Sequence, residues 1–353
     1  MAAAGLLAGC STTTIPPDDN NACPAPAALA APWKVSAPPS GVGHNVKTVG
    51  IGTYFVKQTS QEITKRLDLL AREHITEVRF DVPWYLIETS SCRYDWSDLD
   101  LAMRGLAEHN ISALLLVAYA PSWETGDPAC SRRAKNPHCA PGKPGHAGQN
   151  QGAADFGRFV GALWSRYKNF SPKLQLWNEA QRKIGPALYA NMLREARKQA
   201  RNAYLVYGAD FPPQASNDPN RPDRYLAAVD QAGGKGTYDA VSVHPYTTPN
   251  LPRQGRSGNN GWGQMYLVRD YLVSQGGADI PIFITEIGSD QTPKQAPILR
   301  AAMNLLATPE HNYITALYWY ALTDDPPSAF GIFTARKEPK PVAAVIADYN
   351  HPA

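Results

Sequence analysis

From Lys47 onward, short apolar runs rich in β-forming residues alternate with longer stretches of helical spacing. The apolar runs fall at residues 49–54, 77–81, 113–119, 174–178, 204–208, 240–244, 282–286 and 314–320. Helical stretches separate and follow them at residues 61–73, 98–109, 153–167, 186–201, 223–231, 265–275, 297–307 and 341–348. Several strand runs are almost continuously apolar, as in strands covered on both faces. Eight strand–helix repeats predict an α/β fold, a single (β/α)8 TIM barrel. A doubly wound sheet would carry a Gly-rich phosphate loop after its first strand. Gly50-Ile51-Gly52 lacks the third glycine, and no helix starts at once.

Residues 11–41 are rich in Ala, Pro, Ser and Thr without periodicity, which reads as a tether or an irregular wrap ahead of a catalytic domain spanning 42–353. A length of 353 residues suits one barrel of about 250 with insertions and a tail. The net charge of +3 is too small to imply a nucleic-acid partner. The 8 Trp and 17 Tyr suit a sugar-binding cleft and a barrel core equally. Residues 1–10 are short and apolar and end in Leu7-Ala8-Gly9-Cys10, a lipoprotein-type signal with Cys10 as the lipidation site. No basic n-region precedes it, and it is too short to span a bilayer. Setting Cys10 aside leaves Cys23, Cys92, Cys130 and Cys139, an even number that suits an oxidising compartment. A local Cys130–Cys139 bridge would leave Cys23–Cys92 to tie the tail to the barrel, and four free thiols are the alternative. The spacing does not suit zinc.

In a TIM barrel the chemistry sits where strands end and βα loops begin. The fourth run ends in Leu176-Trp177-Asn178-Glu179 and the seventh in Ile284-Thr285-Glu286. A carboxylate just past an apolar run is costly to bury unless it is paired or used. Two facing carboxylates about 5 Å apart are the geometry of a retaining glycosidase, and capping of the following helices is the plainer alternative. Tyr119 and Trp123, after the third strand, either line a cleft or stiffen a loop. Asp81, Glu88, Glu124, Asp290, Asp324 and Asp325 read as solvated or substrate-rim charges. The loop 124–152 is rich in Pro, Gly and Cys and carries Arg132, Arg133 and Lys135, either a solvated basic patch or contacts for an acidic polysaccharide.

A set of short motifs is more specific in its order and spacing. It comprises Val78-Arg79-Phe80-Asp81-Val82-Pro83-Trp84, Tyr94-Asp95-Trp96, Ala118-Tyr119-Ala120-Pro121-Ser122-Trp123, Trp177-Asn178-Glu179, Val243-His244-Pro245-Tyr246, Thr285-Glu286 and Trp319. Over residues 48–345 this set resembles the clan of retaining (β/α)8 glycoside hydrolases with glutamates on strands four and seven. Within the clan it is most similar to families 39 and 5. The resemblance implies that Glu179 is the acid/base and Glu286 the nucleophile. It implies that Asn178 binds the sugar 2-hydroxyl and that Tyr246 and Arg79 keep the nucleophile ionised. It further implies that His244 lies beside the acid/base and that Trp319 floors the sugar at the cleavage point. Family 5 members usually show a histidine after strand three. Here Tyr119-Ala120-Pro121-Ser122-Trp123 stands there instead, which moves the likeness toward family 39, including enzymes that trim bacterial exopolysaccharides.

The implied activity is double-displacement hydrolysis of a polysaccharide, with a raised pKa at Glu179 so that one residue can serve as acid and then base. No metal or cofactor is expected, since no HExxH occurs and the histidines are scattered. The other readings are a transglycosylase and a non-catalytic polysaccharide-binding lipoprotein. The expected protein is an exported monomer, either secreted or held at the cell envelope by a lipid on Cys10. Its partner is a poly- or oligosaccharide and not nucleic acid.

Overall fold

The computed structural model of the chain describes residues 23–31, 46, 48–131, 139–142, 148–208, 218–255 and 261–350. Cys10, Arg132, Arg133 and Lys135 lie outside the described residues. The barrel strands are β1 (Val49–Thr53), β2 (Glu77–Pro83), β3 (Ser112–Ala118), β4 (Lys173–Leu176), β5 (Tyr204–Tyr207), β6 (Ala240–Val243), β7 (Ile282–Ile287) and β8 (Ile314–Trp319). They close in the order β1-β8-β7-β6-β5-β4-β3-β2, and every barrel pair is parallel. The helices are α1 (Ser60–Arg72), α2 (Ser97–Glu108), α3 (Gly148–Tyr167), α4 (Pro186–Gln199), α5 (Pro222–Val229), α6 (Gly261–Ser274), α7 (Thr292–Leu306) and α8 (Pro341–Asn350). The chain therefore folds as the expected (β/α)8 TIM barrel.

Local chemistry explains the boundaries. Helix α1 starts in a capping box, with Thr59 and Glu62 satisfying each other's backbone donors, and it buries Ile63, Leu67 and Leu70 on one face. Helix α7 starts five residues before the expected position. Pro293, not Pro297, occupies its first turn, and Pro297 removes only one ladder bond. Buried Gln295 fixes this start by donating to the carbonyls of Ser289 (2.9 Å) and Ala329 (2.8 Å).

The floor of the barrel is packed with Leu114, Val206, Ala240, Phe283, Ala316 and Tyr318. Tyr318 donates to Glu77 (3.0 Å), which Lys173 approaches at 3.5 Å. A Cβ on Gly50 would stand 2.5 Å from the Tyr318 ring, so β1 needs glycine there. Side chains alternate along a strand, so Ala316 and Tyr318 in the lumen send Leu317 and Trp319 outward to the larger core beneath the helices.

Smaller elements that the sequence pattern did not predict build the rim. After β2 come one helical turn (Trp84–Ile87) and an antiparallel pair (Glu88–Ser90 with Arg93–Tyr94). After β3 comes a second turn (Ser122–Thr125). Disulfides join Cys23 to Cys92 and Cys130 to Cys139, with Cα separations of 5.2 and 5.9 Å. Of the segment 11–41, the described residues 23–31 lie on the end of α3. The Leu29 amide donates to the Arg166 carbonyl (2.7 Å), and Asn169 donates to the Leu29 carbonyl (3.0 Å). Among the described residues no helix is long and apolar enough to cross a membrane.

Candidate active site

Both candidate glutamates reach the C-terminal mouth of the barrel, each by a local departure from regular strand. After β4 the backbone takes left-handed conformations at Trp177 (φ 77°) and Glu179 (φ 47°). Tyr119, at the end of β3, does the same (φ 68°). Such conformations cost roughly 1–3 kcal/mol each in residues with a side chain and persist where surrounding contacts enforce them. Here Tyr189 of α4 donates to the Leu176 carbonyl and accepts from the Gly208 amide (2.7 Å), clamping the ends of β4 and β5. Gly208 is required, because a Cβ there would stand 1.9 Å from the Trp177 carbonyl oxygen. On β7, Ile284 pairs with Leu317 and Ile287 with Trp319, so three steps of β7 face two of β8. This bulge breaks the alternation, so that the adjacent side chains Thr285 and Glu286 both reach site groups, His244 and Tyr246.

An oxygen of Glu179, an oxygen of Glu286 and a ring nitrogen of His244 all lie within 4.8 Å of one another. Arg79 holds three of its neighbours at once. Its guanidinium donates to Glu286 Oε1 (2.8 Å), Asn178 Oδ1 (2.8 Å) and Gln175 Oε1 (2.7 Å). The Tyr246 hydroxyl donates to Glu286 Oε2 (3.0 Å). His244, almost fully buried, pairs through Nδ1 with Glu179 Oε1 (3.2 Å) and through Nε2 with Thr285 Oγ1 (3.0 Å). Arg182 donates to Glu179 Oε2 (2.8 Å) from the rim.

These partners set the protonation states. Burial opposes the charge on Arg79, but Glu286 and Asp81 outweigh it and hold the guanidinium charged. Burial, then Glu286, pushes the Tyr246 phenol well up, so it acts as a donor. Burial also raises the Glu179 carboxyl, yet the hydrogen bonds and charges of His244 and Arg182 overcome it and leave its pKa below the usual range. The raised pKa expected for the acid/base is therefore absent from the free protein. Among the described residues, Glu179, His244 and Glu286 are near enough to share a cation. The charges of Arg79 and Arg182 already sit on the outer oxygens of both carboxylates.

A cavity of about 740 Å³ opens beside the pair, lined from β1 through β4, β7 and the loop after β8. Arg79, Tyr119, Asn178, Glu179 and Glu286 all face it. Trp123 instead stiffens the loop: its Nε1 donates to the Glu88 carbonyl (2.9 Å), and its ring packs edge-on against Trp84. Trp319 does not reach the cavity. It is fully buried on the outer face of β8 and donates to the Phe330 carbonyl (3.1 Å), while Tyr320, one residue on, lines the cavity. Two residues read as rim charges are also structural. Glu88 is wholly buried and accepts from Trp84 (2.6 Å), the Cys92 amide (2.7 Å) and Arg158 (2.6 Å). Glu124, also buried, accepts from the Gly142 amide (2.8 Å). Sequence reasoning missed Gln175, Thr285, Arg182, Tyr54 and Tyr320. Gln175 and Thr285 carried a signal, each as a polar residue inside an apolar run.

No family model and no curated protein matches the sequence. Solved structures do match. A family 39 glycoside hydrolase from Bacteroides cellulosilyticus WH2 superposes with a TM-score of 0.65 at 20% identity over 87% of this chain. An exo-beta-1,4-mannosidase from Opitutaceae bacterium strain TAV5 gives 0.56 at 18% over 89%. An endo-beta-1,4-glucanase from Xanthomonas axonopodis pv. citri gives 0.56 at 14% over 87% of this chain and 100% of its own. The chain spans 64% and 62% of the length of the first two. The architecture shared with these glycoside hydrolases is the barrel, and the motif resemblance to that clan has its counterpart in the fold.

Proposed function

We propose that this chain is a retaining glycoside hydrolase that cleaves a polysaccharide by double displacement. The observation that carries the reading is the approach of one oxygen of Glu179 to one oxygen of Glu286, within 4.8 Å. That suits the separation of about 5–5.5 Å used for retention and is shorter than the 6.5–9.5 Å that admits a water for inversion. Glu286, oriented by Arg79 and Tyr246, attacks the anomeric carbon while Glu179 protonates the leaving oxygen. Glu179 then takes a proton from water, which displaces Glu286 with net retention. Asn178, fixed by Arg79, presents its amide to the sugar. The disulfides suit an exported protein, and lipidation at Cys10 would hold it at the cell envelope beside surface polysaccharide.

The test is product release from a panel of bacterial and plant polysaccharides, with Glu286→Gln as control and the anomeric configuration of the first product read by proton NMR. Products of retained configuration, absent from the control, are expected. Inverted products, or release undiminished in the control, would overturn the reading.

A further inference from the structure

The cavity contains a third carboxylate that the mechanism does not use. Asp81 lies two residues beyond Arg79 on β2 and faces the cavity with it. Glu286, Glu179, Glu88, Glu124 and Asp324 each accept at least one hydrogen bond. Among the described residues no hydrogen bond or ion pair within hydrogen-bonding distance holds the Asp81 carboxylate. Desolvation pushes its pKa up to about 6, against the pull of Arg79 and with a further push from Glu286. Asp81 is partly exposed, and the exposure is to the cavity, so its oxygens stand ready for a donor brought by a ligand.

The surroundings point to the class of that ligand. Tyr54, Tyr85, Tyr119 and Tyr320 all line the same cavity. Burial raises all four phenols, and the charge of Asp81 is among the further causes in each case. The Tyr54 and Tyr320 hydroxyls meet at 3.0 Å across the β1 and β8 ends. Aromatic faces around a carboxylate with free lone pairs suit a sugar ring, which offers C–H groups to the rings and hydroxyl protons to the oxygens. Asp81 stands two residues beyond Arg79 on β2, and the Arg79 guanidinium bonds Glu286 at 2.8 Å and not Glu179, which puts Asp81 beside the nucleophile.

We infer that Asp81 is the specificity-determining residue for the sugar that becomes attached to Glu286, gripping two adjacent hydroxyls of a neutral glycone. The inference rests on the hydrolase reading above and names the substrate class of that same site. An ionised Asp81 accepts but cannot donate, so it rewards a diol and repels a uronic acid.

The experiment compares wild type, Asp81→Asn and Asp81→Ala on 2,4-dinitrophenyl glycosides of xylose, glucose, galactose, mannose and glucuronic acid, and on oligosaccharides from any polysaccharide the wild type degrades. On the preferred neutral substrate, kcat/KM should fall by about tenfold to a hundredfold in both variants, carried mainly by KM. The glucuronide should be poorest for wild type and should gain relative to the neutral glycosides in Asp81→Asn. Thermal melting of Asp81→Asn, expected at or above wild type, separates lost recognition from lost folding. Unchanged KM in both variants, or a wild-type preference for the glucuronide, overturns the role of Asp81 and leaves the hydrolase standing. A wild type that cleaves nothing overturns both.

Discussion

Arg182 donates a hydrogen bond to Glu179 at 2.8 Å across a single 3-10 turn, while His244 holds the other oxygen of the same carboxylate at 3.2 Å. The candidate proton donor is thus poised in its ionised form. Its first duty requires the protonated form, so kcat/KM should decline as pH rises through a Glu179 pKa that lies below the ordinary range. Arg182→Gln removes one cause of that lowering. The basic limb of the kcat/KM profile should then move to higher pH, whereas Arg182→Lys should leave it near wild type. Because Arg182 is half exposed, its loss should alter stability by no more than about 1 kcal/mol. A basic limb that stays in place in Arg182→Gln would show that Arg182 does not govern the proton.

The two glutamates should fail differently. With Glu179→Gln, substrates with poor sugar leaving groups should lose about 10²–10⁴ in rate, since protonation of the departing oxygen is lost. A 2,4-dinitrophenyl glycoside, whose leaving group needs no proton, should lose far less in its first step and accumulate the glycosyl-enzyme. Glu286→Gln should abolish turnover of both substrates. Burst kinetics and intact-protein mass spectrometry distinguish the two patterns, and equal losses on both substrates in Glu179→Gln would exchange or cancel the assigned roles.

Most of the barrel was legible in the chain because eight strands covered on both faces leave eight apolar runs, and helices between them leave apolar stripes. The positions of Glu179 and Glu286 at the barrel mouth were legible for a related reason, since each follows such a run. Trp319 was misplaced because Leu317-Tyr318-Trp319-Tyr320 is apolar or aromatic at every position, so hydrophobicity alone cannot say which parity faces the lumen. The choice is made far away, by Gly50 leaving room for the Tyr318 ring. Glu88 was taken for a rim charge because Arg158, its charged partner, stands 70 residues away in sequence and meets it only through tertiary folding. The hairpin that carries Cys92 is too short to leave a period in the sequence.

Asp81 should cost the fold stability. Its folded pKa of about 6 lies above the unfolded value, so the protein favours the neutral form. The penalty is absent below about pH 4, grows as pH rises through 6 and is complete above it. Asp81→Asn should therefore melt above wild type at pH 8, by on the order of 1–3 kcal/mol in stability, and the difference should shrink toward zero at pH 4. Urea unfolding at the two pH values checks this, and a gain of equal size at both would contradict the assigned protonation.

Separating Cys23 from Cys92 by 69 residues makes their bond the longer covalent loop of the two disulfides. In the chain-entropy account, Cys92→Ser should destabilise the protein by about 4 kcal/mol while leaving any kcat of the folded protein unchanged. Melting with and without reductant, on wild type and on the variant, provides the check. A reductant-sensitive melting temperature in wild type that survives unaltered in Cys92→Ser would assign the effect to Cys130–Cys139 instead.

The same bond decides how mechanical load enters the molecule. A pull on the chain ahead of Cys23 passes through sulfur directly to the hairpin after β2, and the stretch from Cys23 to Cys92, with β1 and α1 inside it, carries no tension. Strand β1, which leads directly into Tyr54 at the cavity and closes the barrel against β8, is thus shielded from any drag on its own upstream segment.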